Sequence, residues 1–308
     1  MAKQVALVLG GGGSSGHAWL IGVIAGLAEA GVDLTEAADL VIGTSAGATA
    51  AAWVRSGVPP ADLLASVLSE QARPPPQNAP QNHQRPPSLP MGEVFQRMRD
   101  IGVAATSAMD LQRAMGAFAL ESDAILAQGA AQRRAIVAAR LPRAEWSDRP
   151  MIVTALDAHT GELVAFTGDS GVELVDAVTA STAMSGVAPT VGINGRRYID
   201  GGVRSAENAD LAAGYANIVV LSPLYERSRR PAPPGQFEGL RRAQEWRTDL
   251  ASQVEDLRQQ GSRVEVITPD DEADAAMGSN LMDPTARIPT ARAGFAQGKR
   301  EAARLANL

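Results

Sequence analysis

Asp39-Leu40-Val41-Ile42-Gly43-Thr44-Ser45-Ala46-Gly47-Ala48 is the stretch whose reading decides how this chain folds. The apolar run reads as a buried strand and Ala46 to Trp53 as the start of a helix, with Ser45 on the sharp turn between them. Gly43 and Gly47 lack the Cβ atoms that would crowd such a turn, so the Ser45 hydroxyl can project from it. The N–H groups opening the helix add partial positive charge beside that hydroxyl. A five-residue G-x-S-x-G pattern arises readily by chance in a chain with 30 Gly. The strand before it and the helix after it are what give it weight as a nucleophile turn.

Outward from this turn, the pattern is that of an α/β chain. Val5 to Leu9 is a continuous apolar run that ends in Gly10-Gly11-Gly12-Gly13-Ser14-Ser15-Gly16, and helical character follows from Ala18 to Ala30. Strand, glycine loop, helix and second strand make a βαβ unit, whose strands should lie parallel with a right-handed crossover. Further helices are expected over 46–56 and 60–72. Residues 73–90 are dense in proline and read as an extended loop, a surface insertion or a cover over a substrate site. Residues 91–140 read as a helical insertion, because Met91, Val94, Phe95, Met98 and Ile101 recur at helical spacing. Four of the chain's nine Met fall between Met91 and Met115, which suits either core packing or an adaptable lid or acyl-chain groove.

Beyond residue 150, Met151 to Leu156 and Glu162 to Phe166 flank Ala158-His159-Thr160-Gly161 and read as an antiparallel hairpin. Residues 173–183 read as a helix. Short strands are expected at Arg197-Tyr198-Ile199, 217–221 and 263–267, with helices over 240–260 and 291–305. The sum is a single three-layer α/β/α domain over 1–308 with a mainly parallel central sheet.

Composition narrows the partners. Hydrophobic residues make up 45% of the 308 positions but aromatics only 4%, so the core is aliphatic and relies on close helix–sheet contact. The net charge of −6 and the lack of a Lys/Arg block disfavour nucleic acid. With no cysteine, disulfides, thiolate catalysis and Cys-ligated metals are excluded. The N-terminal apolar run is too short for a signal-peptide core, and no stretch is long enough to span a bilayer. The expectation is a soluble, cytoplasmic protein able to touch membrane surfaces peripherally; its oligomeric state is left open.

If Ser45 is a nucleophile, something must take its proton. The three histidines are His17, His83 and His159. None follows a suitable acid late in the chain, as the Ser–Asp–His order of α/β-hydrolases requires. A carboxylate held close and desolvated can serve directly. Asp200 is the candidate, because it ends a strand and Gly201-Gly202 let the backbone turn tightly around its side chain. Gly11, Gly12 and Gly13 suit an oxyanion hole, in which each fixed N–H contributes about 3 kcal/mol to transition-state stabilisation. Gly11, Gly13 and Gly16 also satisfy G-x-G-x-x-G, but the second strand ends in Gly43-Thr44-Ser45 where a dinucleotide site wants an acid. A Walker A loop fails for lack of Gly-Lys-Ser/Thr.

A glycine loop after strand one, G-T-S-A-G after strand two and Tyr198-Ile199-Asp200-Gly201-Gly202-Val203 together resemble the patatin-like phospholipase family. Ala177-Val178-Thr179-Ala180-Ser181-Thr182-Ala183, then Pro189, looks like that family's approach to its aspartate. The similarity covers about residues 4–57 and 150–222. The resemblance implies a serine esterase of phospholipase A or lysophospholipase type, acting on lipid or phospholipid acyl esters without metal or cofactor. Ser45 would be the nucleophile, Asp200 the base, and Gly11, Gly12 and Gly13 the oxyanion hole. A lipid-binding or regulatory protein of weak activity, or an acyltransferase, stays compatible with the same residues. Two positions depart from the pattern: Ser15 stands where the family usually has Arg or Lys, and Ser185 where it often has proline. The first bears on contact with an anionic head group.

Overall fold

In the computed structural model, residues 4–69, 88–228, 240 and 242–306 are described. The proline-rich loop expected over 73–90 falls outside them except at 88–90. The strands are β1 (Val5–Leu9), β2 (Leu40–Thr44), β3 (Met151–Asp157), β4 (Leu163–Phe166), β5 (Val191–Ile193), β6 (Arg196–Asp200), β7 (Asn217–Leu221) and β8 (Arg263–Ile267). The helices are α1 (Gly13–Glu29), α2 (Leu34–Ala37), α3 (Ala46–Val54), α4 (Pro60–Ser69), α5 (Met91–Ala104), α6 (Ala108–Leu126), α7 (Ala130–Arg140), α8 (Leu174–Ser181), α9 (Tyr225–Ser228), α10 (Leu250–Gln259), α11 (Asp271–Met277) and α12 (Arg287–Leu305).

One sheet runs in the order β5-β6-β3-β2-β1-β7-β8, with β4 paired to β3. The five strands from β3 to β8 are parallel, and β4, β5 and β6 are antiparallel additions. Side chains alternate between faces along a strand, and both faces are covered. From β1, Val5, Leu7 and Leu9 join the core beneath α1, α3, α4, α8 and α12, while Ala6 and Val8 join the opposite one with Leu250, Val254 and Leu257 of α10. That double burial explains why β1 and β2 read as continuous apolar runs. A third cluster joins α5 and α6 to Leu156, Ile199 and Val203, seating the helical insertion over the ends of β3 and β6.

The glycine-rich start of α1 differs from expectation. Helix begins at Gly13, five residues before the apolar pattern, because the Gly16 N–H returns to the Gly12 carbonyl at 2.9 Å and the Ser15 N–H is taken by Leu281 at 2.9 Å. The helix expected over 240–260 forms only from Leu250. Arg247 sits at φ 52 and breaks the pattern, and Asp249 caps the new start by accepting the Ser252 N–H at 3.1 Å. The short edge strand β5 and helix α11 were not expected. The hairpin of β3 and β4 and the strands β7 and β8 form where the sequence places them.

Helices α1 and α12 touch backbone to backbone. A Cβ on Gly26 would stand 2.1 Å from the Phe295 carbonyl oxygen, and one on Gly298 would stand 2.3 Å from that of Val23. The buried Trp19 Nε1 donates to Gln297 Oε1 across the same seam at 2.9 Å. Among the described residues, no helix is long and apolar enough to cross a membrane.

Candidate active site

Ser45 lies between β2 and α3 at φ 55 and ψ −119, a conformation that costs a non-glycine residue free energy. Its neighbours permit this turn. A Cβ on Gly47 would meet the Leu9 carbonyl oxygen at 1.9 Å, so helix α3 can start against β1 only with glycine there. The Ser45 N–H donates to Ser181 Oγ, from the end of α8, at 2.9 Å. The side chain is half-buried, and the first amides of α3 beside it have no acceptor within the helix.

Strand pairing brings Asp200 to this turn. Val153 of β3 pairs with Gly43 on one edge and Phe166 on the other, and Ala155 pairs with Val164 and Asp200. Since β4 occupies one whole edge, β2 and β6 share the other. Thr44 faces Thr154, and Asp200 faces the next residue, Ala155. The two strands therefore run toward each other along one edge of β3 and end beside one another. The Ser45 hydroxyl stands close enough to the Asp200 carboxyl to lower its pKa, and Asp200 Oδ1 accepts the Gly202 N–H at 2.7 Å. Asp200 itself is buried, and burial pushes its carboxyl up to about 6. The Ser45 hydroxyl, the Gly202 amide and the charges of Arg133 and Arg242 pull against that rise.

The glycine loop passes directly over Ser45: a Cβ on Gly11 would lie 3.4 Å from that of Ser45. Its amides are not equivalent. Gly11 donates its N–H to the Ala206 carbonyl at 2.8 Å, and Gly10 donates to Leu221 at 2.9 Å. The N–H groups of Gly12 and Gly13 have no acceptor among the described residues. Gly11 therefore does not fit the donor role expected of it. It provides close approach, and the loop amides left without an acceptor among the described residues are those of Gly12 and Gly13.

No histidine among the described residues hydrogen-bonds Ser45 or Asp200. His17 is buried with its ring edge-on to Trp53 at 4.9 Å, and burial together with Arg287 and Arg140 holds it neutral. His159 donates its backbone N–H to Asp157 in the hairpin turn. His83 lies outside the described residues.

Other residues at the site carry no local sequence signal. Thr44 and Thr154 hydroxyls meet at 2.8 Å, and Asn208 Nδ2 donates to Thr44 Oγ1 at 3.1 Å and to the Ser205 carbonyl at 2.9 Å. This buried bundle ties the ends of β2 and β3 to the chain leaving Asp200. Arg242 hydrogen-bonds the Gly202 and Val203 carbonyls, bracing the turn from outside. Glu207 is buried against the Ser222 hydroxyl, and burial raises its carboxyl. The helical insertion forms a groove of about 510 Å³ lined by the apolar Leu89, Val94, Phe118 and Ile125 and the charged Glu93, Arg97, Asp100 and Glu121.

Residues 7–213 match the family model described as patatin-like phospholipase. Among solved structures, the chain is similar to the crystal structure of VipD from Legionella pneumophila, with 13% identity and a TM-score of 0.44. That likeness covers 98% of this chain and 67% of the other. No curated protein matches the sequence.

Proposed function

The chain belongs to the patatin-like phospholipase family, a family of lipid acyl hydrolases, and we propose that it cleaves lipid acyl esters through a Ser45–Asp200 dyad. Ser45 Oγ attacks the ester carbonyl while Asp200 takes its proton. The N–H groups of Gly12 and Gly13 hold the oxyanion. The tetrahedral intermediate collapses to an acyl-enzyme, and Asp200 returns its proton to the departing alcohol. Water then attacks the acyl carbon, Asp200 accepting its proton; as the bond to Oγ breaks, Asp200 returns that proton to Ser45 Oγ and the fatty acid leaves. The substrate class is a phospholipid or lysophospholipid.

One observation carries this reading: the Ser45 hydroxyl stands beside the buried Asp200 carboxyl and lowers its pKa, with no imidazole among the described residues bonded to either. A carboxyl raised to about 6 is a stronger base than a free aspartate yet stays ionised at neutral pH. We take residues 1–308 as a single domain, and residues 91–140 as its lid or acyl-chain groove. Met91, Val103 and Met109 are exposed there and suit peripheral contact with a lipid surface.

A fluorophosphonate probe tests the assignment. It should label wild-type protein on Ser45 and leave Ser45→Ala unlabelled. Product analysis with lysophospholipid, with and without an alcohol acceptor, separates hydrolysis from acyl transfer. Wild-type protein that binds lipid but takes no label would be a binding protein on this fold.

A further inference from the structure

The glycine loop carries no charge: Ser14 and Ser15 occupy it, and the Ser15 hydroxyl is buried with no partner among the described residues. Positive charge reaches the site from other elements: Arg287 donates to Ser14, Arg242 braces the Gly202 turn, and Arg133 acts on Asp200. Arg133 of α7 turns inward on the same helix face as the buried Val137, and its Nη2 donates to the Thr182 carbonyl and, at 2.9 Å, to the Thr182 hydroxyl. Thr182 follows Ser181, whose hydroxyl holds the Ser45 amide. The guanidinium thus sits one residue from a group in contact with Ser45.

Its surroundings are unusual for a half-buried arginine. Among the described residues no carboxylate lies within ion-pair distance of Arg133. Nε is buried without an acceptor, and Nη1 has no acceptor although it is not sealed from solvent. Among the described residues, Asp200 is the acid whose charge acts on it, while the like charge of Arg140 opposes. Leaving guanidinium donors unmet in a desolvated place is unfavourable unless an acceptor arrives with a ligand. Arginine's fork matches the geometry of phosphate oxygens.

We propose that Arg133 is the anion-recognising residue of the ester site, taking a phosphate oxygen of a phosphate-bearing lipid while its acyl carbonyl lies at Ser45. The inference rests on the ester-hydrolase reading above and narrows its substrate class. Arg133 binds substrate and takes no part in proton transfer.

The test compares lysophosphatidylcholine with a monoacylglycerol of the same chain length, at pH 8, in wild type, Arg133→Gln and Arg133→Lys. Wild type should favour the phosphate-bearing substrate in kcat/KM. Arg133→Gln should reduce that preference about tenfold or more, mainly through KM, with Arg133→Lys between them. Fluorophosphonate labelling of each variant reports that the site is folded. If Arg133→Gln does not fold, Arg133→Lys must still show a reduced preference. Parallel loss on both substrates, with the preference unchanged, overturns the proposal. So does inhibition by inorganic phosphate that depends on Arg133 without any preference for the phospholipid. A wild type that cleaves only the monoacylglycerol overturns it and leaves the ester hydrolase standing. A wild type that cleaves neither and takes no label overturns both.

Discussion

The Ser181 hydroxyl accepts the backbone N–H of Ser45 at 2.9 Å, and two residues further on the Ala183 carbonyl accepts the N–H of Asp200 at 3.0 Å. The end of α8 therefore grips both members of the proposed dyad by their main chains. Ser181→Ala leaves a strained residue with an unmet N–H, at a cost of about 1–3 kcal/mol. Urea unfolding should register that loss, and ester turnover should fall about tenfold or more as the turn loosens. Unchanged turnover would assign Ser181 to stability alone.

Activity should rise with pH along a limb with an apparent pKa of about 6, the value to which burial lifts Asp200. Below it the carboxyl is protonated and cannot accept the Ser45 proton. A pH series of kcat/KM on a p-nitrophenyl ester checks this, and a profile flat from about pH 5 to 8 speaks against Asp200 as base.

The same rise has a consequence for stability. A carboxyl whose folded pKa exceeds its unfolded 3.8 favours the fold only while protonated, and that contribution is lost as pH rises through about 6. At pH 8 the ionised Asp200 costs stability on the order of 3 kcal/mol. Asp200→Asn should therefore melt no lower than wild type at pH 8, and its relative advantage should vanish below about pH 4. Calorimetry at the two pH values checks the sign; a variant markedly less stable at pH 8 would show that the ionised group supports the fold.

The α1–α12 seam makes a prediction remote from the chemistry. A methyl on Gly26 would lie 2.1 Å from the Phe295 carbonyl oxygen, backbone that can move only by separating the helices. Gly26→Ala should cost about 1–3 kcal/mol or more by denaturant unfolding. Gly31→Ala, where nothing lies within 4 Å but φ is +92, should cost only the backbone strain of that residue.

The turns that carry Ser45 and Asp200 were legible in the sequence because each demands small neighbours, and glycines leave a local mark. The central strands β1 and β2 were legible because double burial makes them continuous apolar runs. Ser181, Thr154, Asn208 and Arg133 were not, since their contacts join segments far apart and leave no spacing to read. Which loop amide stays open was equally hidden: Gly11 and Gly12 are alike in sequence, and only the return of Ala206 beneath the loop tells them apart. The late start of α10 turned on Arg247 adopting φ 52, which no local pattern announces. The α1–α12 contact was missed because glycines within a helical run read as weak helix formers rather than as a place where two backbones meet.

The central claim is that one serine and one aspartate act as a unit with no histidine between them. Lysophospholipid hydrolysis by wild type, Ser45→Ala, Asp200→Asn and the double variant tests it most directly. The account predicts that each single variant loses about 10³-fold or more in turnover and that the double variant is hardly worse than either. Near-wild-type turnover in Asp200→Asn, or losses that multiply in the double variant, would contradict it.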